Sequence, residues 1–535
     1  MYLIYLVLLS TASAWMFPDL ERYCSESYCH IIGRNRKYSG KIAHRLLEFH
    51  IDSCSDLEVL KLMPNLRTLE LEYCNSSENF TMNDLDPLRF LSTLQLRRGN
   101  LSELQDKHFA KFSKIEVLEL GGNSIARLTN ESFIGIPKLW LLSLPGNDIE
   151  VLPQGVFQTL PELLHLDLSG NKIERLGESI FAGNPKLEML LLNGNPLTWI
   201  SPTALGSLGN LRLLDLSNCG PLPDLTLQGA HSLILDNSQL KYLDIRGTVM
   251  KLQARDNQLT NIRFADKSSV TELDLHNNSL TTDDIPFILM GMWRLQRLDL
   301  SNNLIHKFPG AGSDNTSELF LLPNLMHVNL SANLLQRLHF DSPFPWARLT
   351  HLDLSYNRLS PYGLPERAIN EAFNLQSLHI QGNGITYFRP TTSKKSYSAL
   401  KEVAFYDNKY KPEVYKNITK FFRDLKVIVL EKTQQDLPSN DSLKEDCAHF
   451  IEKSQTLPPK KEIQVHPVEE IIVKNNEGFW NTWNIFLLGI LMTSLTVNAV
   501  QIRQRYRLRG RHVIPRETPI SSMETMFVRD EEMLN

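Results

Sequence analysis

One spacing dominates the chain. Leu91, Ile115, Leu139, Leu163, Leu187 and Leu211 stand 24 residues apart, and each opens a phrase of the same form. The phrases from Ile115 onward read IEVLELGGN, LWLLSLPGN, LLHLDLSGN, LEMLLLNGN and LRLLDLSNC. Leu66 precedes the run, and Leu295, Leu325, Leu349, Leu375 and Leu400 resume it. Less regular copies begin at Ala230, Val249 and Val270, giving 15 in all; degenerate copies near His44 and Leu425 would make 17. A unit this short cannot bury its own apolar face, so neighbouring units must stack. The 535 residues therefore read as one elongated array with ends, not several globules. Of the chain's 89 leucines, most hold assigned positions in that stack.

The consensus is LxxLxLxxNxL. Its central L-x-L is a short strand, with the leucines facing in and alternate residues facing out. The Asn side chain can satisfy turn backbone in its own and neighbouring coils, so these residues should form a ladder. Asn123, Asn147, Asn171, Asn195, Asn278, Asn303, Asn333, Asn357, Asn383 and Asn408 hold the position; Cys74 and Cys219 replace it, and at Gly99 it is displaced to Asn100. Phe109, Phe133, Phe157 and Phe181 recur on the return path. Steps of 19, 19 and 21 residues follow Leu211. Shorter coils have less outer bulk, so a flatter waist is expected there, with Leu233/Leu235 and Leu252/Ala254 still inward.

This consensus resembles the leucine-rich repeat, in the subtype typical of extracellular proteins. The resemblance covers about 390 residues. It implies an α/β solenoid, a leucine-rich repeat horseshoe with a parallel sheet on its concave face, here followed by one transmembrane helix. The lean cysteine caps and single span look most like insect membrane-bound leucine-rich proteins, among them the transmembrane mosquito leucine-rich immune group. Such a family implies recognition in innate immunity or cell adhesion.

The ends read as targeting segments. Residues 1–14 combine an apolar run with Ala12-Ser13-Ala14, a signal-peptide pattern. Residues 15–65 form an N-terminal cap and a degenerate first repeat, 66–433 the array, and 434–478 a polar stalk with Pro458-Pro459. Residues 480–502 are expected to span the membrane: Trp483 to Val500 is uncharged, tryptophans flank it, and Arg503, Arg505, Arg507, Arg509 and Arg511 follow. Residues 503–535 are then a cytoplasmic tail too short to fold as a signalling domain. The expected topology is single-pass, type I, at the cell membrane with the N-terminus outside.

Sequons fit an extracellular glycoprotein: Asn75, Asn79, Asn100, Asn130, Asn277, Asn315, Asn329, Asn417 and Asn440. In an oxidising compartment Cys24–Cys29 and Cys54–Cys74 are candidate disulfides, and Cys219 a buried thiol. Cys447 is then left over, and an odd extracellular cysteine points to an interchain bridge and a disulfide-linked dimer.

No catalytic constellation, cofactor motif or metal site stands out, and an enzyme is not expected. Asp167, Asp215, Asp274, Asp299 and Asp353 form an outward column that the repeat itself explains. His351 with Asp353, beside His327, could add a weak pH effect. With net charge −4, the chain lacks the basic excess of a nucleic-acid binder. The sharpest signal is an apolar stripe on the concave face: Val117, Leu141, His165, Met189 and Leu213 at one outward position, with Trp140, Leu164 and Leu191 beside them. Apolar patches and Met or aromatic anchors mark interaction surfaces. Asn329 and Asn277 would place glycans on the C-terminal half, whereas Asn130 falls on the return path. An extracellular protein ligand or co-receptor is therefore expected on the concave face between Glu116 and Leu213. A receptor or co-receptor without its own signalling domain is the first reading, and a homophilic or heterophilic adhesion protein the second.

Overall fold

In the computed structural model the described residues are 22–24, 28–31, 47–51, 57–72, 85–99, 101–222, 224–308, 322–337, 345–360, 372–388, 390 and 397–432. The chain divides into two units, 1–437 and 438–535, and every described residue belongs to the first. The expected leader, stalk, membrane span and tail lie outside the described residues, as do Cys54, Cys74 and Cys447. Among the described residues no helix is long and apolar enough to cross a membrane.

All fifteen opening positions, from Leu66 to Leu400, are buried. Most are followed by a strand whose middle residue points in and whose flanking residues point out, as at Val117–Glu119 and His165–Asp167, while Ala230 and Val249 lie within their strands. These strands pair in parallel, each in register with the next coil: Val117 with Leu141, Leu141 with His165, His165 with Met189, Met189 with Leu213. The degenerate copies are present as Glu48–Ile51 and Ile428–Leu430. The expected cap holds one parallel strand more, Tyr28–Ile31, and Arg22–Cys24 pairs antiparallel with it. That hairpin sets Cys24 directly opposite Cys29 in register.

The ladder takes the expected form. Asn171 Nδ2 donates to the carbonyls of Leu144 and Leu168, both at 2.9 Å, and its Oδ1 accepts from Ile149 N at 3.1 Å. One side chain thus ties two coils together and closes three otherwise buried backbone groups. Two rungs escaped the sequence reading, Ser238 and Asn257, because the 19-residue coils do not spell the motif. At Cys219 the thiol donates to Leu192 O at 3.2 Å. The residue before each rung is left-handed throughout, from Arg98 to Asp407, which is why Gly, Asn and Asp crowd that column.

Behind the sheet, Phe109, Phe133, Phe157 and Phe181 stack as a spine with centroids 6.5, 6.1 and 5.9 Å apart. The waist is built differently. There the return path is itself β-structure: Asp224–Leu227 and Asn261–Asp266 both pair in parallel with Tyr242–Gln253 on the outer wall. Strands on both walls advance by the same ~4.8 Å per coil, which removes the wedge that bends the stack. The flatter waist expected from the short coils would follow from this pairing. A short helix, α1 (Asp284–Leu289), follows, and α2 (Pro412–Asp424) closes the C-terminal end. Its Phe422 packs on Phe388, Phe405 and Tyr397, so α2 covers apolar rings that the last coils would otherwise expose.

Candidate binding face

The inner sheet brings the predicted stripe together. Val117, Leu141, His165, Met189 and Leu213 occupy matching outward positions on five adjacent strands, and all are half-buried. Trp140 and Leu164 lie on the edge before their strands, and Leu191 on the other side; all three are also half-buried. Trp140 and His165 meet edge to face, centroids 5.6 Å apart and planes at 77°. Burial lowers the His165 pKa from its ordinary value, against the pull of Glu188. His165 therefore serves the stripe as a neutral aromatic ring at neutral pH.

The aspartate column has the structural role expected. Asp167 Oδ1 accepts from Ser169 N at 2.9 Å and from Ser169 Oγ at 2.7 Å, and Asp215 does the same with Ser217. Asp299 and Asp353 repeat the turn with Ser301 and Ser355, while Asp274 pairs with Arg255. Among the described residues no His, Cys, Asp or Glu group could hold a metal ion.

The histidine cluster is larger than the sequence indicated. His327 and His351 stack, centroids 4.3 Å apart. His379, on the next strand, was missed; it sits 3.4 Å from Asp353 and 3.6 Å from Glu402. It occupies the position that aspartate fills in the LDLS copies, and that substitution was the available signal. Burial, His351 and Arg297 push the His327 pKa down to about 4. The hydrogen bond to Asp353 raises that of His379 despite burial.

Four sequons fall on described residues. Asn130, Asn277 and Asn417 are exposed. Asn329 is half-buried, and its Nδ2 donates to Asp299 Oδ2 at 2.8 Å and Ser301 Oγ at 3.2 Å. Its Oδ1 accepts from Ser331 N at 3.0 Å, the turn that Asp makes elsewhere. That sequon therefore coincides with a structural turn, and the case for the N-terminal half rests on the stripe more than on glycan placement. Asn75, Asn79, Asn100, Asn315 and Asn440 lie outside the described residues.

Comparison with known proteins agrees with the coil geometry. The leucine rich repeat family model matches residues 89–149, 142–197 and 175–220. These residues are leucine-rich repeats. Over 190 residues the chain is 27% identical to podocan-like protein 1 of Homo sapiens, covering 34% of this chain and 35% of that protein. The chain thus spans about a third of that relative's length. Two solved leucine-rich repeat structures share the fold. One is the Toll–Spatzle complex of Drosophila, at TM-score 0.53 and 21% identity, covering 69% of this chain and 51% of that one. The other is the LRIM1/APL1C complex, at TM-score 0.52 and 21% identity, covering 92% and 80%.

Proposed function

We propose that this chain is an extracellular recognition protein that binds a protein ligand or co-receptor on the N-terminal half of its concave face. One observation carries the reading: five adjacent strands present Val117, Leu141, His165, Met189 and Leu213 in a continuous apolar line where solvent-facing positions should be polar. Anchorage through residues 480–502, signalling through a partner, a disulfide-linked dimer and a part in innate immunity belong to the same proposal. They rest on the sequence pattern and the family resemblance.

The test is a double substitution, Leu141→Glu with Met189→Glu, in the secreted ectodomain. Both side chains face out, so secretion and thermal stability should stay near wild type. Proximity labelling on cells should then lose the partner that the wild-type ectodomain captures. Undiminished capture by a normally secreted variant would place the site elsewhere.

A further inference from the structure

The stripe is framed by carboxylates, and they are not equally neutralised. Glu119 is paired with Arg97, and Glu188 with Arg212 at 3.2 Å. Glu116, on the edge column beside Trp140, and Asp167 and Asp215, on the column of Leu191, make no ion pair among the described residues. The bonds that Asp167 and Asp215 accept from Ser169 and Ser217 hold a turn but bring no positive charge. Three uncompensated negative charges therefore flank an apolar line on both sides.

The dimensions narrow the occupant. From Val117 to Leu213 the stripe crosses five strands, a span of about 19 Å at ~4.8 Å per strand. An α-helix covers that length in about 13 residues, and its 5.4 Å pitch nearly matches the strand spacing. A helix laid across the strands can thus seat one apolar side chain per strand, with flanking lysines or arginines above the carboxylates.

Building on the proposed binding face, we propose that its occupant is a cationic amphipathic helix of a partner protein. Its apolar side rests on the Val117–Leu213 line, and its basic flanks lie against Glu116, Asp167 and Asp215. Apolar contact supplies most of the affinity, and the flanking charges supply selectivity and salt dependence.

The test uses the folded ectodomain and three synthetic peptides of about four helical turns. One is a leucine/lysine peptide with helical periodicity. The second has the same composition in strict alternation, and the third is a helical leucine/glutamate analogue. Binding is read by fluorescence anisotropy at low and raised salt. The helical leucine/lysine peptide should bind, weaken with salt, lose binding to the Leu141→Glu, Met189→Glu protein, and weaken about three- to fivefold with Glu116→Lys. Equal or tighter binding to the double variant than to wild type would show general charge attraction and overturn the proposal. Equal or better binding by the alternating or acidic peptide would overturn the helix or its charge. Binding by none of the peptides, with capture of the native partner still lost in the double variant, overturns the partner chemistry and leaves the face standing. Capture that survives the double variant removes the face itself.

Discussion

His327 and His351 lie ring on ring, planes 18° from parallel, on neighbouring strands of the inner sheet. Arg297 adds positive charge on the preceding strand and Glu272 opposes it, while Asp353, His379, Lys401 and Glu402 complete the surroundings on the following coils. The folded state holds His327 well below the ordinary histidine pKa, so the unfolded chain takes up its proton first as pH falls. Stability contributed by the neutral ring is intact above about pH 6.5 and drains away as pH falls toward about 4. His379 has the opposite sign: its contribution is full below the ordinary value and is lost as pH rises through its raised one. A His327→Phe variant keeps a stacked ring and loses the titration. Its Tm should fall less than that of wild type between pH 7 and pH 4.5, as measured by circular dichroism. A parallel decline in both proteins would remove the pair from the pH response.

The ladder predicts a local cost. Asn171→Ala removes the bonds to Leu144 O, Leu168 O and Ile149 N from a buried site. Buried groups left unpaired cost about 1–3 kcal/mol each, softened where water can enter, so a loss of about 3 kcal/mol is expected. Because coils contact only their neighbours, hydrogen exchange should quicken in the coils around Asn171 and hardly change near Asn383. Uniform loss of protection would contradict nearest-neighbour stability.

The left-handed column predicts an asymmetry between two substitutions. Gly170 has φ +61° and sits close to Gly146, so Gly170→Val should cost about 2 kcal/mol through backbone strain alone. Asn302→Gly, at φ 53°, relieves a mild strain and gives up the bond to Asn277 Oδ1. It should stay within about 0.5 kcal/mol of wild type in urea titration.

The cysteines differ in their surroundings along the chain. Cys24 and Cys29 are register partners in an antiparallel pair, a backbone separation of about 4.5–5.5 Å that a disulfide can span. Cys219 is buried and its thiol is pushed up to about 11 by desolvation. Non-reducing peptide mapping should join the Cys24 and Cys29 peptides. Iodoacetamide should label Cys219 only after denaturation.

What the sequence disclosed follows from what repeats. Opening positions such as Ile115 and Leu349, the rungs from Asn123 to Asn408, and the phenylalanine spine are spelled once per coil, so periodicity alone locates them. Features used once have no such redundancy. Ser238 is a rung without the Asn letter, and the outer strands around Tyr242 occupy coils where the motif is broken. Phe422 of α2 gains its meaning only from Phe388 and Phe405, which lie on earlier coils. His379 joins Asp353 and Glu402 across 26 and 23 positions of sequence through strand register. The apolar stripe was legible because its members share the 24-residue step. The charges around it became a pattern only when ion pairs such as Glu188–Arg212 could be separated from unpaired carboxylates.

The most direct measurement uses the turn that Asp167 shares with Asn329. Asn329-Leu330-Ser331 shows that asparagine can make this turn, so Asp167→Asn should fold while creating a glycosylation sequon in the middle of the stripe. Peptide N-glycosidase converts a glycan-bearing asparagine to aspartate, which regenerates the wild-type residue. The glycosylated variant should fail to capture the partner taken by the wild-type ectodomain. Enzymatic removal of the glycan should restore capture to the level of wild type treated in the same way. Full capture while the glycan is still attached would contradict binding on the N-terminal concave face.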